Sequence, residues 1–350
     1  MELKKYKLGD IAKIEISGVD KKSVDGETPV RLCNFVDVYR NWAITQKLSE
    51  NFMIASAKET EIAKCSIHKG KVAITKDSET RDDIGIPAYI ADDFDNVLLG
   101  YHCALITPND DVLDGKYLNA FMHTRYIQKY FENNASGSGQ RYTLSNETIF
   151  QIPILLPSLE VQKAIGNLLS NIDRKIELNR QINDNLEKMA KQLYDYWFVQ
   201  FDFPNENGRP YKSSGGAMVW NEKLKREIPK EWDNCTLEYY LIIKNGRDHK
   251  HLGNGIYPVY GSGGEIRKVD SFIYSGESIL MPRKGSLNNI MYVNDAFWSV
   301  DTMFYSEMKQ PHCAKYVFYS IKDIDFTRWD SGTGVPSMTC LLYTSPSPRD

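Results

Sequence analysis

The chain has 350 residues, of which 42% are apolar and 25% charged, and its formal net charge at pH 7 is −3. This length is sufficient for two domains with separate cores, and the composition is not that of a disordered protein. The charge excludes a uniformly basic coat for nucleic acid, but it leaves open a protein whose lysines and arginines lie on one face.

Cysteine usage and the first residues indicate the compartment. The six cysteines are scattered without a C-x-x-C pair, so the spacing typical of zinc ligands is absent. The first residues, MELKKYKLGD, lack the apolar core of a signal peptide, and no apolar run reaches the length that spans a membrane. We therefore predict a cytoplasmic protein with reduced thiols.

Residues 1–157 alternate short β-branched runs with clusters of Asp, Asn and Gly. The runs at 71–75, 97–107 and 149–156 predict strands, and the spacing of apolar residues at 116–131 predicts one helix. This pattern predicts a mixed α/β domain in a protein of the α+β class.

Residues 158–200 predict one long helix that begins after Pro157 with Ser158 as its N-cap. Apolar residues recur every three or four positions, as in a coiled-coil seam; they are Ile165, Leu168, Ile172, Ile176, Ile182, Leu186, Met189, Leu193 and Trp197. About forty helical residues span roughly 60 Å, which exceeds what the core of such a domain needs. The helix is therefore interpreted as a spacer, a dimerisation element or both, and a solvated helix lying over one domain is the alternative.

The second half of the chain repeats features of the first half. Residues 201–230 are rich in Pro, Gly, Ser and Asn, which predicts a linker. In residues 231–339, four segments then match four earlier ones in order: 4–14 with 231–243, 70–78 with 276–286, 100–107 with 297–306, and 117–127 with 314–324. Each series closes on a Ser-Gly loop, SGSGQRYTL at 136–144 and SGTGVPSMT at 331–339. This order predicts two tandem α/β domains related by a pseudo-two-fold repeat and separated by the coiled-coil helix.

The first Ser-Gly loop is not predicted to be a phosphate loop of the nucleotide-binding kind. An extended apolar run follows it, whereas such loops lead into a helix that begins with Lys and Ser or Thr. Its glycines nevertheless allow backbone N–H groups to approach a phosphate closely.

Two similar domains separated by a rigid helix suit a ligand that extends over tens of ångströms, and duplex DNA is the most common one. The segments that carry a resemblance are YKLGDIAKI, GESILMPRKGS, IPKEW and above all IPILLPSLEVQ, which leads into the long helix. Over nearly its whole length to Thr339, the chain resembles the specificity subunits of type I restriction-modification systems.

The resemblance implies a DNA-recognition subunit that serves in host defence. Each globular half would be a target recognition domain for one part of a split DNA site. The central helix would pair with a second helix, set the half-site spacing and dock two modification subunits, which carry S-adenosylmethionine and methylate adenine. Restriction subunits that use ATP and magnesium would complete the complex, and this chain would be non-catalytic, with no cofactor or metal of its own.

Two other classes of protein stay open at this stage. A self-contained restriction-modification enzyme or nuclease would carry an unrecognised site, although the sequence shows no Walker loop, H-E-x-x-H or adenine-methyltransferase motif. A purely structural coiled-coil connector would bind no DNA sequence selectively. The paired globular repeats favour the recognition subunit over the connector.

Polar and basic residues at the domain turns are the candidate DNA contacts, because side chains there can reach base edges and phosphates. In the first domain they are Lys76, Ser78, Arg81, Ser138, Gln140, Arg141 and Tyr142. In the second domain they are Arg283, Lys284, Ser286, Asn288, Thr333 and Ser337. Any one of them could equally be a solvated turn residue, but the two arginines Arg141 and Arg283 stand out because a guanidinium can pair with two acceptors of guanine.

Two histidines and a group of aspartates are not predicted to form functional sites. His102 and His123 lie in apolar strand and helix surroundings and are interpreted as structural. The acidic residues Asp77, Asp82 and Asp83 lack further ligands at suitable spacing, so no metal site is predicted.

The last residues break the repeat. After Thr339 the repeat predicts a strand and a second long helix, but the chain continues as CLLYTSPSPRD. These residues resemble the read-through translation of a sequencing adapter. We therefore expect residues 340–350 to be foreign to the natural gene and the second domain, 231–339, to be incomplete; a genuine frayed terminus is the alternative.

Overall fold

The computed structural model describes residues 3–20, 22–138, 141–330, 334 and 336–338. The chain divides into two compact units, Met1–Ile182 and Asn183–Asp350. The boundary between them falls within the long helix. The predicted foreign tail, 340–350, lies outside the described residues.

The first unit is built on a five-stranded sheet in which neighbouring strands do not follow one another directly in the chain. From edge to edge its strands are Ala12–Ile16, Cys103–Pro108, Val72–Thr75, Pro87–Ile90 and Ala43–Ile44. Alternate residues of the central strands belong to two different hydrophobic clusters. The sheet is therefore covered on both faces, which explains why its central strands are apolar runs rather than alternating patterns.

Smaller elements complete the first unit. A three-stranded sheet contains Met53–Ala57, Thr28–Cys33 and Val97–Leu99, and Lys4–Lys7 pairs with Pro153–Leu156. The helices are Leu8–Ile11, Phe35–Arg40, Gln46–Ser49, Glu59–Cys65, Gly115–Met122, Arg125–Asn134 and Asn146–Phe150.

Two predicted elements of the first unit are interrupted. The helix predicted over 116–131 is two helices, because Thr124 adopts an extended conformation (φ −73°, ψ 149°) and its hydroxyl donates to the carbonyl of Phe121 at 2.7 Å. The strand predicted over 97–107 is two strands separated by a turn at 100–102. These strands belong to different sheets, so the apolar run crosses from one layer to the next.

The long helix runs from Leu159 to Tyr194 and ends in a π-helical turn, Asp195–Val199. Its 36 α-helical residues span about 54 Å. No helix among the described residues is both long enough and apolar enough to cross a membrane.

The first turns of the long helix are fixed to the first unit by Gln162, a residue that is 1% exposed. Its Oε1 accepts from the N–H of Asp114 at 3.0 Å, and its Nε2 donates to the carbonyls of Val112 and Pro157, each at 3.0 Å. One turn later a Cβ at Gly166 would lie 2.7 Å from the Cβ of Lys116. The two backbones are thus close at this contact.

Most of the predicted seam is exposed on the long helix. The exposed members are Leu168, Ile172, Ile176, Ile182, Leu186, Met189 and Leu193. Ile165 instead packs against the core of the first unit. Trp197 departs from the prediction: it lies half-buried in the π-helical turn beside Phe198, because the wider turn ends the α-helical spacing.

The second unit contains two four-stranded sheets. One has the order Leu241–Asn245, Met303–Met308, Ser278–Pro282 and Met291–Val293. The other has the order Gly264–Val269, Asn254–Gly261, Ala296–Ser299 and Tyr274–Ser275. The helices after the long helix are Leu237–Tyr240 and Ala314–Lys322, and Phe326–Trp329 is a 3-10 turn.

The sequence segments that match between the two halves occupy matching places in the two folds. In the first unit Cys103–Pro108 pairs with Ala12–Ile16 on one side and with Val72–Thr75 on the other. In the second unit Met303–Met308 pairs in the same way with Leu241–Asn245 and Ser278–Pro282, which come from the corresponding matched segments. Each unit also has a parallel pair in a second sheet: Thr28–Cys33 with Val97–Leu99 in the first unit, and Asn254–Gly261 with Ala296–Ser299 in the second.

The segment predicted as a linker, 201–230, is folded. It contains a hairpin of Met218–Asn221 and Arg226–Pro229. The ring of Phe203 is stacked on Tyr211 at 4.8 Å and on Trp232 at 4.9 Å. The sequence does not predict this packing, because Gly, Pro and Asn form tight turns here and a few aromatic rings supply the packing without a periodic apolar pattern.

Candidate nucleic-acid interface

The first unit brings its two groups of predicted DNA contacts together. Asp77–Ser78 pairs antiparallel with Arg141–Thr143, which pairs in turn with Ser136–Ser138. We call these three short strands the loop sheet. The turn after strand Val72–Thr75 and the Ser-Gly loop therefore form one surface.

Lys76 lies where the large sheet meets the loop sheet. Its N–H donates to the carbonyl of His102 at 2.8 Å, and its carbonyl accepts from the N–H of the buried Leu144 at 2.9 Å. The Lys76 side chain lines a surface cleft of about 500 Å³ together with Asp77, His102 and Gly18. The backbone of the cleft is thus fixed on both sides of Lys76.

Arg141 projects from the loop sheet and is held by two side chains. Its Nη2 lies 3.3 Å from Oδ2 of Asp77, and 2.6 and 3.0 Å from the two ring nitrogens of His102. The carboxylate of Asp77 also accepts a hydrogen bond from Nδ1 of His102. The Arg141 side chain is 59% exposed, against 17% for Asp77 and 29% for His102.

The carboxylate of Asp77 is stabilised in its ionised form. Partial burial raises its pKa, but hydrogen bonds from Thr143 and His102 lower it. The charge of Arg141 acts in the same direction, and the net result is a pKa below the ordinary value of an aspartate. At neutral pH a negative charge therefore holds the guanidinium.

The remaining predicted residues of the first unit differ in what they contact. The guanidinium carbon of Arg81 lies 5.0 Å from the centre of the Tyr142 ring, a cation–π distance. The hydroxyl of Ser78 accepts from the N–H of Thr80 at 3.2 Å, so it stabilises its own turn. Ser138 lies opposite Arg141 in the loop sheet. Gln140 lies outside the described residues.

His102 is a member of this surface that the sequence interpretation missed. It lies in the turn between two strands rather than within a strand, with a left-handed φ of 70°. The available signal was Gly100, which interrupts the apolar run just before a residue type that tolerates this conformation. His123, by contrast, is half-buried and stacked on Trp42 at 4.4 Å, which fits a structural role.

Arg283 occupies in the second unit the backbone position of Lys76. Its N–H donates to the carbonyl of Thr302 at 2.9 Å, and its carbonyl accepts from the N–H of Met338 at 2.9 Å. Lys284 forms an antiparallel bridge with Ser337. These bonds correspond one by one to those of Lys76, and we call this repeated arrangement the backbone frame.

The other predicted DNA contacts of the second unit either bond residues of their own unit or lie outside the described residues. The amide of Asn288 accepts from the N–H of Phe326 at 2.8 Å and donates to Asp325 at 3.0 Å, so it ties down the 3-10 turn. Ser286 is exposed, and its carbonyl accepts from Asn289 within the turn. Thr333 lies outside the described residues.

The backbone frame also identifies Arg247, which the sequence analysis did not name. Ser17 donates its N–H to the carbonyl of Cys103 at 3.2 Å, and Gly246 donates its N–H to Met303 at 2.9 Å. Arg247 therefore corresponds to Gly18, which lines the cleft of the first unit. The signal was available, because the match between 4–14 and 231–243 continues three residues further to Gly246.

The candidate surfaces thus differ in charge. The first combines Lys76, Arg81 and Arg141 with an aspartate, whereas the second presents exposed Arg247, Arg283 and Lys284. Within the described part of the chain, no cluster of His, Cys, Asp and Glu could hold a metal ion.

Comparison with known proteins decides the family. The family model described as "Type I restriction modification DNA specificity domain" matches residues 1–188, more than half of the chain. The chain belongs to this family. As a member of the specificity-domain family, the chain matches the model over the whole first unit. The match continues to residue 188 and so includes the first thirty residues of the long helix.

Individual relatives are similar over part of their length. The type I restriction enzyme MjaIX specificity subunit of Methanocaldococcus jannaschii is 29% identical over 191 residues, which are 54% of this chain and 40% of that protein. The HindI specificity subunit of Haemophilus influenzae is 31% identical over 141 residues, which are 40% of this chain and 30% of that protein. The matched part is thus less than half of each relative.

One solved structure shares the fold over almost the whole chain. It is the S subunit of a type I restriction-modification system from M. genitalium, with a TM-score of 0.58 and 16% identity. The match covers 99% of this chain and 83% of that one. At this identity the similarity concerns the fold alone.

Proposed function

We propose that this chain is the sequence-specific DNA-recognition subunit of a type I restriction-modification complex and is itself non-catalytic. Its two recognition domains, 1–157 and 231–339, would each contact one half of a bipartite site in double-stranded DNA. The observation that carries the proposal is the backbone frame, which presents Lys76 in one unit and Arg283 in the other from equivalent backbone positions.

The chemistry of the exposed residues on the frame fits DNA. Lysine and arginine contact phosphates and position a protein on the duplex, and arginine also pairs with guanine in the major groove. Each good base contact contributes about 1–3 kcal/mol of discrimination against a wrong base. A few such contacts in each unit are sufficient for sequence selection even though the net charge of the chain is negative.

The long helix supports the part of the proposal that concerns partners. We infer that its exposed apolar stripe, Leu168 to Leu193, pairs with a second helix and docks two modification subunits, and that restriction subunits join this complex. S-adenosylmethionine, ATP and Mg²⁺ would be bound by those partners. The helix would also set the distance between the two half-sites.

Selection of DNA tests the proposal. The full chain is produced alone and together with the modification subunit from the same gene cluster, and each sample selects duplexes from a randomised library. We expect the joint sample to enrich a split motif with a fixed spacing and to methylate adenine within it. Absence of any enriched sequence, or methylation or cleavage by the chain alone, would contradict the proposal and favour a connector or a self-contained enzyme respectively.

A substitution of Arg247 tests whether this position of the backbone frame contributes to DNA binding. We expect Arg247→Ala to weaken binding of the selected duplex about tenfold and to lower the slope of log K against log salt concentration by about 1. Arg209→Ala is the matched control, because Arg209 is also exposed but lies in the folded segment 201–230, between the long helix and the sheets of the second unit. Equal effects of the two substitutions would show that only net charge matters.

A further inference from the structure

The group formed by Asp77, His102 and Arg141 is arranged to orient one guanidinium. We propose that Asp77 and His102 are positioning residues that direct Arg141 to the major-groove edge of one guanine in the half-site of the first unit. This inference rests on the proposed function and adds to it the chemical identity of one base.

Only part of the donor capacity of Arg141 is used by the described residues. Within the described residues, the side-chain hydrogen bonds of Arg141 leave from Nη2, which donates to Oδ2 of Asp77 and to Nε2 of His102; Nδ1 of His102 is itself a donor to Asp77 and cannot accept. Nη1 and Nε carry three further N–H groups, which have no partner among those residues, and the side chain is more than half exposed. Guanine presents the acceptors N7 and O6 in the major groove, and arginine is their most common partner.

The two positioning side chains start from fixed backbone. Asp77 lies in the loop sheet, opposite Thr143. His102 has a left-handed backbone, its carbonyl accepts from Lys76, and its ring contacts Tyr101 with 3.9 Å between centroids. A free arginine side chain loses about 2 kcal/mol of rotamer entropy when it is immobilised. Because Arg141 is already held, that loss is largely incurred before DNA binds.

The same arrangement favours a base over a phosphate as the ligand. A phosphate contact depends mainly on positive charge, and the carboxylate of Asp77 offsets the charge of Arg141. A base contact depends on direction, which the carboxylate and the imidazole ring supply. Lys76 and Arg81 lie on the same surface without such a carboxylate contact among the described residues, and they suit phosphates better.

The test measures how much binding affinity is lost when the N7 acceptor of one guanine is removed. Each guanine in the selected duplex is replaced in turn by 7-deazaguanine, which lacks the N7 acceptor and keeps Watson–Crick pairing. We expect one replacement to weaken binding by the unsubstituted chain about tenfold. The same replacement is expected to have no effect on the Arg141→Ala variant, because the two changes remove the same contact.

The positioning residues are tested by the ratio of affinities for duplexes with guanine and with 7-deazaguanine. This ratio would not change if Asp77 and His102 only stabilised the fold. We expect Asp77→Asn and His102→Gly to bring the ratio of affinities for guanine and 7-deazaguanine close to one. Glycine tolerates the left-handed backbone, so the fold is retained, and His102→Asn tolerates it too while restoring a hydrogen-bonding side chain. That variant is expected to recover part of the ratio, and Lys76→Ala is expected to lower both affinities equally.

The outcomes separate the inference from the proposed function. If the library yields no motif, the proposed function fails. If it yields a motif in which no guanine is sensitive to the loss of N7, or in which sensitivity survives Arg141→Ala, the base contact is overturned. If Arg141→Ala removes the sensitivity but Asp77→Asn and His102→Gly leave the ratio unchanged, the positioning role is overturned.

Discussion

Replacement of Gln162 by leucine is expected to lower the free energy of unfolding of the first unit by about 3 kcal/mol. The buried amide satisfies one N–H and two carbonyls, those of Asp114, Val112 and Pro157. Leucine has a similar volume but no polar atom. Each backbone group that stays buried without a partner costs about 1–3 kcal/mol, although local relaxation recovers part of this loss.

The measurement is hydrogen exchange by mass spectrometry at increasing urea, followed in peptides from residues 1–182. Gln181→Leu is the matched control on the same helix, since within the described part of the chain the amide of Gln181 bonds only the side chain of Glu177 one turn away, at 2.8 Å. The control is expected to change stability by less than about 0.5 kcal/mol. Similar losses in the two variants would mean that helix propensity, not the buried amide, explains the effect.

The long helix shows what sequence patterns predict well. Its apolar residues recur over many turns, and such a period is decided by local geometry alone. The role of Gln162 is invisible in the same pattern, because a glutamine in a first helical turn is ordinarily exposed. The folded segment 201–230 shows the opposite case: its packing depends on a few rings such as Phe203 and Trp232, and no period announces them.

The candidate interface was predictable residue by residue but not as a surface. Lys76 and Arg141 could be named because basic and polar residues follow a strand or a Ser-Gly turn. That Asp77 pairs with Thr143 depends on contacts between segments more than sixty residues apart, which local patterns do not encode. His102 was missed for the same reason, since its neighbours in space come from those distant segments.

Acidification is expected to destabilise the first unit through His123. Burial lowers the pKa of this histidine from about 6.5 to about 4, although a hydrogen bond to the backbone of Pro87 acts in the opposite direction. Its Nε2 is buried and has no hydrogen-bond partner among the described residues, so an added proton would have no acceptor. Between pH 6.5 and 4 the unfolded chain therefore binds more protons at this site than the native chain does.

The sign of the effect follows from that difference. Stability is fully present above about pH 6.5, falls as the pH decreases towards 4, and changes no further through this group below 4. The total loss is about 3 kcal/mol for a shift of this size.

Exchange-monitored urea unfolding at several pH values measures this loss of stability in unsubstituted protein and in His123→Phe, which keeps a ring against Trp42. The variant is expected to lose less stability on acidification, whereas His68→Gln, at a more exposed histidine, is expected to behave like the unsubstituted chain. Equal pH dependence in all three proteins would show that carboxylates, and not His123, govern acid unfolding of the first unit.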